Sequence, residues 1–337
     1  ITTSQRHEQS TSSITKCLLS QLTHQRFISA MAPAIALAVA LVFSMAQLSV
    51  GSRRLMELYV PPESDRLTYH QGGVLSGDIP VSILWYGKFT AAQRSIVSDF
   101  LVSLTSAPNG AATPSVGQWW GTIEQLYLSK AAVAGSTRVL LGEQLTDEDC
   151  SRGRSLTLEQ IEQLAARVAV KKGGITLVLT DEDVSVEGFC SSRCGRHGSS
   201  QDGESTHIWV GNSVKQCPGQ CAWPFAQPQY GSQGSPLVAP NGNVGMDGMV
   251  MVLATMVAGT VSNPHGDGYY QGPKGAGLEA CSACPGVYGS GAYPGYAGNL
   301  LVDPTTGGSY NANGAGGKKY LLPALYDPAT ASCSTLV

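Results

Sequence analysis

Eight cysteines crowd the stretch from Cys150 to Cys333, downstream of an apolar segment laid out like a secretory leader. Together these features narrow the possible folds more than anything else in the chain. From Met31 to Ser52 the sequence carries no charged side chain. Its apolar run, from about Ala34 to Ala46, is too short and too rich in small residues to span a bilayer, which takes about 20 apolar residues. Ser49 and Gly51 offer a cleavage site just before Arg53 and Arg54, so residues 31–52 are expected to be a signal peptide. Residues 1–30 open on Ile1, are rich in Ser, Thr and Gln, and lack apolar periodicity. They are read as an extension outside the folded protein, leaving 53–337 as the mature domain. An even cysteine count behind a leader implies an oxidised framework, with Cys150, Cys190, Cys194, Cys217, Cys221, Cys281, Cys284 and Cys333 all paired.

Spacing does not choose the pairing. Cys190 and Cys194 either bond to each other or bridge to Cys217 and Cys221. As thiols the two pairs would have the spacing of a four-thiolate zinc site, and His197 would extend it to a mixed one. Oxidation is the expected state.

Charged residues are only 13% of the chain, about half the usual share. Beyond residue 52 there are 18 Lys and Arg against 23 Asp and Glu, a net charge near −5 with no basic patch. Nucleic acid and anionic membrane surfaces are thereby excluded as natural partners. No cofactor and no membrane span are expected.

Residues 80–261 alternate between strand and helix patterns. Pro80–Tyr86 is a short apolar, β-branched run that reads as a buried strand. Thr90 caps a helix over 91–104 in which Ile96, Val97, Phe100, Leu101 and Leu104 recur at helical spacing. A second helix is expected from Pro114 in its first turn through Trp119, Trp120 and Ile123. Strands follow at 137–145, 175–180 and 206–210, with a helix over 156–170 between the first two. Residues 246–261 are apolar nearly all round and predict a buried central helix. The expected class is α/β or α+β in one domain, its core about 65–261. Residues 262–337 are crowded with Gly, Pro, Tyr and Asn, and are expected to wrap irregularly onto that core under disulfide staples.

Tyr69-His-Gln-Gly-Gly-Val, Ile83-Leu-Trp-Tyr-Gly-Lys-Phe, Cys217-Pro-Gly-Gln-Cys-Ala-Trp-Pro-Phe, Asn263-Pro-His-Gly-Asp-Gly-Tyr-Tyr and Gly291-Ala-Tyr-Pro-Gly-Tyr follow one another along the chain. Together and in this order these segments resemble the EXORDIUM / phosphate-induced protein 1 family of plants. The resemblance covers nearly all of 65–337. It implies an apoplastic, cell-wall-associated protein tied to growth and to nutrient or hormone response. It carries over no catalytic residue.

The helix 252–262 and the turn after it are similar in outline to a zinc metallopeptidase helix, where two ligands four apart flank a general base. In that register Thr255 and Gly259 hold the ligand positions and Met256 the base. None can do that chemistry, so a zincin-like scaffold with an erased metal site is the structural expectation, by analogy of pattern. His265 and Asp267 are weak cation candidates in a turn that lacks EF-hand spacing. A hydrolase would need two opposed carboxylates; Asp181, Glu182, Asp183, Glu187 and Asp247 are available, as in any chain of this length. Trp209, Trp223, Phe225, Tyr269, Tyr270, Tyr293 and Tyr296 mostly sit near Gly or Pro, where rings either pave a contact surface or fill the core under loops. The expectation is a non-catalytic protein binding a cell-wall polymer, peptide or receptor. A wall-polysaccharide hydrolase and a metalloprotein with unusual ligands are its rivals.

Overall fold

Two runs of apolar and β-branched residues, Ile175–Thr180 and Thr206–Gly211, fix the architecture. In the computed structural model, which describes residues 66–105, 112–131, 136–168, 172–200, 203–230 and 234–337, these strands lie at the centre of a five-stranded sheet. The leader and the extension before it fall outside the described residues. A short strand β1 (Thr68–Tyr69) precedes β2 (Asp78–Tyr86), then come α1 (Ala91–Thr105), α2 (Val116–Ile123), β3 (Arg138–Asp147), β4 (Ser155–Leu156), α3 (Leu158–Ala166), β5 (Ile175–Thr180), β6 (Ser185–Val186), β7 (Gly195–Ser199), β8 (Thr206–Gly211), the single turn α4 (Pro218–Cys221), α5 (Val244–Ser262) and β9 (Tyr269–Tyr270). The sheet order is β3-β2-β5-β8-β7. β2, β3, β5 and β8 run parallel, and β7 closes the edge antiparallel to β8.

Alternate residues face opposite layers. Ile79, Val81, Ile83 and Trp85 of β2, with Leu177, Leu179, Ile208 and Val210, pack on α1, α2 and α5. Leu84, Tyr86, Val178 and Trp209 face the other way, onto α3 and the cysteine-rich loops. All six residues of β5 and all six of β8 are buried, as expected of central parallel strands with both faces covered. β3 is largely exposed and presents Arg138, Glu143 and Asp147 at its edge, charges that discourage further strand pairing.

Helix starts follow local chemistry. Thr90 and Gln93 form a reciprocal capping box at α1, with Gln93 N donating to Thr90 Oγ1 at 3.2 Å and Thr90 N to Gln93 Oε1 at 2.8 Å. All five apolar residues predicted for its buried stripe are in the core. The next helix begins later than the sequence suggests. Ser115 is the N-cap of α2, boxed with Gln118, so Pro114 stands outside the first turn in which it was expected. α3 likewise starts at Leu158 behind the Thr157 cap, because Leu156 is diverted into a two-residue pairing of β4 with β6.

Fifteen of the 19 residues of α5 are buried. By length and composition this helix falls in the membrane-spanning range, but it lies inside the domain as its core helix. Its first turn holds Asp247, only 3% exposed. Asn241 donates to it from N (3.0 Å) and Nδ2 (2.6 Å), and the same Nδ2 reaches Lys319 O at 2.7 Å. Burial outweighs these donors and pushes the Asp247 carboxyl up to about 6. Because the folded value lies above the unfolded one, this group's contribution is fully present below about pH 3.8. It is lost as pH rises through 6, by at most about 3 kcal/mol. Unfolding free energies measured from pH 3.5 to 7 should therefore show the gap between wild type and Asp247→Asn narrowing as pH rises. A constant gap would mean that Asp247 is not held in this way.

The tail is ordered by short pairings rather than a sheet. β9 pairs with β1, Leu301–Val302 with Ser309–Tyr310, Ala312–Asn313 with Lys319–Tyr320, and Leu325–Asp327 with Ser332–Ser334. It is bolted to the core by Tyr320 Oη, donating to Ile96 O at 2.9 Å, and by Trp119 Nε1, donating to Pro323 O at 2.8 Å.

Three disulfides form: Cys190–Cys217, Cys194–Cys221 and Cys284–Cys333. The two clusters thus bridge to each other, and all four sulfurs that had zinc-site spacing are consumed. The full eight-cysteine framework does not form. Cys150 and Cys281 are buried thiols, and they lie in cores on opposite faces of the sheet, where no bond can join them. Burial pushes both thiols up, away from the reactive thiolate.

Candidate functional site

Two regions carry the residues singled out by sequence. The first lies where α5 meets β7. Thr255 returns its hydroxyl to Met251 O at 3.0 Å, and the Met256 carbonyl accepts from Thr260 Oγ1 at 2.7 Å. Gly259 leaves room that other side chains fill: a Cβ there would come within 2.3 Å of Glu279 Oε2 and 3.2 Å of His197 Nε2. Those two atoms are 2.7 Å apart, and Asn263 Nδ2 donates to the other Glu279 oxygen at 2.7 Å. The position where a second ligand would stand is thus occupied by a carboxylate–imidazole pair. His197 Nδ1 is buried without a hydrogen-bond partner among the described residues, and so is Asp267 Oδ1.

His265 and Asp267 do not join this network as ligands. The turn after α5 is stabilised by Asn263, whose Oδ1 accepts from Gly268 N at 2.7 Å, rather than by the Asp267 side chain. Asp267 contributes its backbone carbonyl, which accepts from Gly72 N at 2.9 Å. Among the described residues, no group of three or more His, Cys, Asp and Glu side chains is placed to hold a metal ion. Of the carboxylates considered for hydrolysis, Asp181 is a structural pin accepting from Lys88 N and Asp183 N, and Glu182 and Asp183 pair with Lys215.

The aromatic candidates divide. Trp209 is buried against α3, its indole donating to Thr180 Oγ1 at 3.1 Å. Phe225 is buried with Met251 and Leu321, and Tyr269 is buried between Tyr69 and Tyr127. Tyr270 is half-buried under a stacked His70. These four are ruled out as an open contact surface by their packing. Trp223, Tyr293 and Tyr296 remain, and they line one groove.

That groove is built by two turns. In Tyr293-Pro294-Gly295-Tyr296 the Pro supplies the fixed φ and Gly295, at φ 90°, the left-handed position that a type II turn requires. The tyrosines bond to each other through their backbones at 2.8 and 3.1 Å, which holds their rings 5.1 Å apart. Opposite, Trp223 follows Cys221 and leans on Tyr288. The cavities on either side of Trp223, about 610 and about 340 Å³, share Trp223 and Gly295. Tyr296, named from the sequence with the other candidates, is exposed in the same groove, and so is Tyr230, which sequence reasoning missed.

Residues 67–336 match the family described as Phosphate-induced protein 1 conserved region. The chain belongs to that family. It is 55% identical over 304 residues to Protein PHOSPHATE-INDUCED 1 of Nicotiana tabacum, covering 88% of this chain and 96% of that protein. To Protein EXORDIUM of Arabidopsis thaliana it is 53% identical over 307 residues, covering 88% and 97%. To Protein EXORDIUM-like 1 of the same plant it is 55% identical over 280 residues, covering 80% and 89%. No solved structure matches this member of the Phosphate-induced protein 1 family.

Proposed function

We infer that this chain is a secreted, apoplastic, cell-wall-associated protein that acts in cell expansion and in nutrient or hormone response through binding rather than catalysis. The observation that carries the reading is the set of three disulfides, a chemistry that persists in oxidising compartments. The leader expected over residues 31–52 supports it, as do relatives whose names speak of phosphate induction. Support for a non-catalytic role comes from α5. With Thr255, Met256 and Gly259 at the would-be metal positions and Glu279 filling the space over Gly259, a zincin-like helix here has no room to regain a ligand.

The test is expression of the full chain with a C-terminal tag in plant cells, followed by recovery of apoplastic fluid and thiol counting. Six of the eight cysteines beyond residue 52 are expected to resist alkylation when the recovered protein is unfolded without reductant, and Cys150 and Cys281 to react. Retention in the cytosol with all thiols reactive would overturn the reading.

A further inference from the structure

We propose that the groove between Trp223 and Tyr293 binds a neutral polysaccharide chain, laid along it with sugar rings against the aromatic faces. This deepens the binding role inferred above and rests on it.

Charge is the first argument. Among the described residues the two cavities that make up the groove are lined by no Asp, Glu, Lys, Arg or His, so none of these walls pairs with a phosphate, a uronate or a charged peptide side chain. What the walls offer is flat apolar surface and neutral polar groups, among them Gln220 and Gln227. A pyranose ring has matching chemistry, with C–H faces that lie against aromatic rings and hydroxyl edges that take hydrogen bonds from amides or water. Because the groove is open on one side, those hydroxyls stay hydrated. A lipid tail would instead need an enclosed apolar cavity, and a peptide would bring backbone donors and acceptors that require dedicated partners.

The distribution of exposed rings is the second argument. Tyr230, Tyr293 and Tyr296 are 82%, 64% and 37% exposed, and all three line this one groove. Among the described residues no other Phe, Tyr or Trp side chain is as open to water, and exposed rings gathered at one place mark a contact site.

Preorganisation is the third. One wall, Gly219 to Pro228, is held at Cys217 and Cys221 by two disulfides, and the other, from Pro285, starts beside Cys284 in the third. Walls fixed in this way lose little freedom when a ligand enters.

The oxidised full chain should be titrated with cellohexaose, a xyloglucan oligosaccharide and a mannan oligosaccharide, with oligogalacturonate and a proline-rich peptide as controls. At least one neutral glycan should bind and change tryptophan fluorescence, while oligogalacturonate should not. Tyr293→Ala should weaken that binding at least tenfold, and Tyr293→Phe should keep it. Tyr293 is exposed, so its circular dichroism and melting temperature should match wild type. Binding of the proline-rich peptide alone, binding of no neutral glycan, or indifference to Tyr293→Ala would each overturn the proposal. Failure here leaves the secretion and thiol-count results untouched, so the two readings fail separately.

Discussion

Replacing Cys284 and Cys333 together by alanine should lower stability by about 4 kcal/mol, because their bond closes a loop of sequence separation 49. In a domain of this size that is a fall in melting temperature on the order of 10 °C. Cys333 sits in the last strand pairing, Ser332–Ser334 on Leu325–Asp327, and Cys284 opens the turn that leads to Tyr288. Without the bond, the segment 325–337 is held to the rest by backbone pairing and a few side chains. Limited proteolysis should then cut it well before the sheet. The double substitution is preferable to Cys284→Ala alone, since the buried thiol of Cys281 lies three residues away and would compete for Cys333. Unchanged melting and an equally protected tail would show that the bond is not its staple.

Gly248→Val should cost about 3 kcal/mol, near the top of the range for overpacking a core. A Cβ at Gly248 would lie 2.5 Å from Ala222 Cβ and 3.0 Å from its Cα, closer than atoms can pack. Relief by moving Ala222 is blocked, because the adjacent Cys221 is bonded to Cys194 at the start of β7. In a Cys194→Ala, Cys221→Ala background the strap can yield, so the penalty for valine should fall by at least 1 kcal/mol in a double-mutant cycle. Full additivity would mean that the clash is relieved elsewhere.

Periodic elements were legible in the sequence because burial alone dictates them. β5 came through to the residue, and the buried stripe of α1 was complete. β7 was not legible. Gly195-Arg-His-Gly-Ser has no apolar alternation, and it is a strand because β8 lies beside it and Cys194 anchors it. The α2 boundary slipped since a Pro that suits a first helical turn suits the loop before it equally well, and only the reciprocal bonds of Ser115 with Gln118 set the start. At the α5 site, the positions lacking ligands were readable, but the partner that fills the space was not. Glu279 lies 82 residues from His197, and nothing local marks it. Of seven proposed contact aromatics, four are packed, because a ring beside Gly or Pro reads the same whether the loop covers it or bares it.

The bonds that seal the first half of the domain have a consequence for its birth on the ribosome. Ile96, Trp119 and Tyr127 are closed over by Tyr320, Pro323 and Tyr326, partners 224, 204 and 199 residues downstream. β1 waits in the same way for β9. A nascent chain that has emerged as far as α5 holds every strand of the large sheet yet still shows wet rings where the tail will dock. Since N-terminal parts of a chain emerge first, this protein cannot finish folding segment by segment during synthesis. Its late residues act as a lid that arrives last, and until then the half-built molecule depends on whatever keeps its aromatic face from meeting another copy.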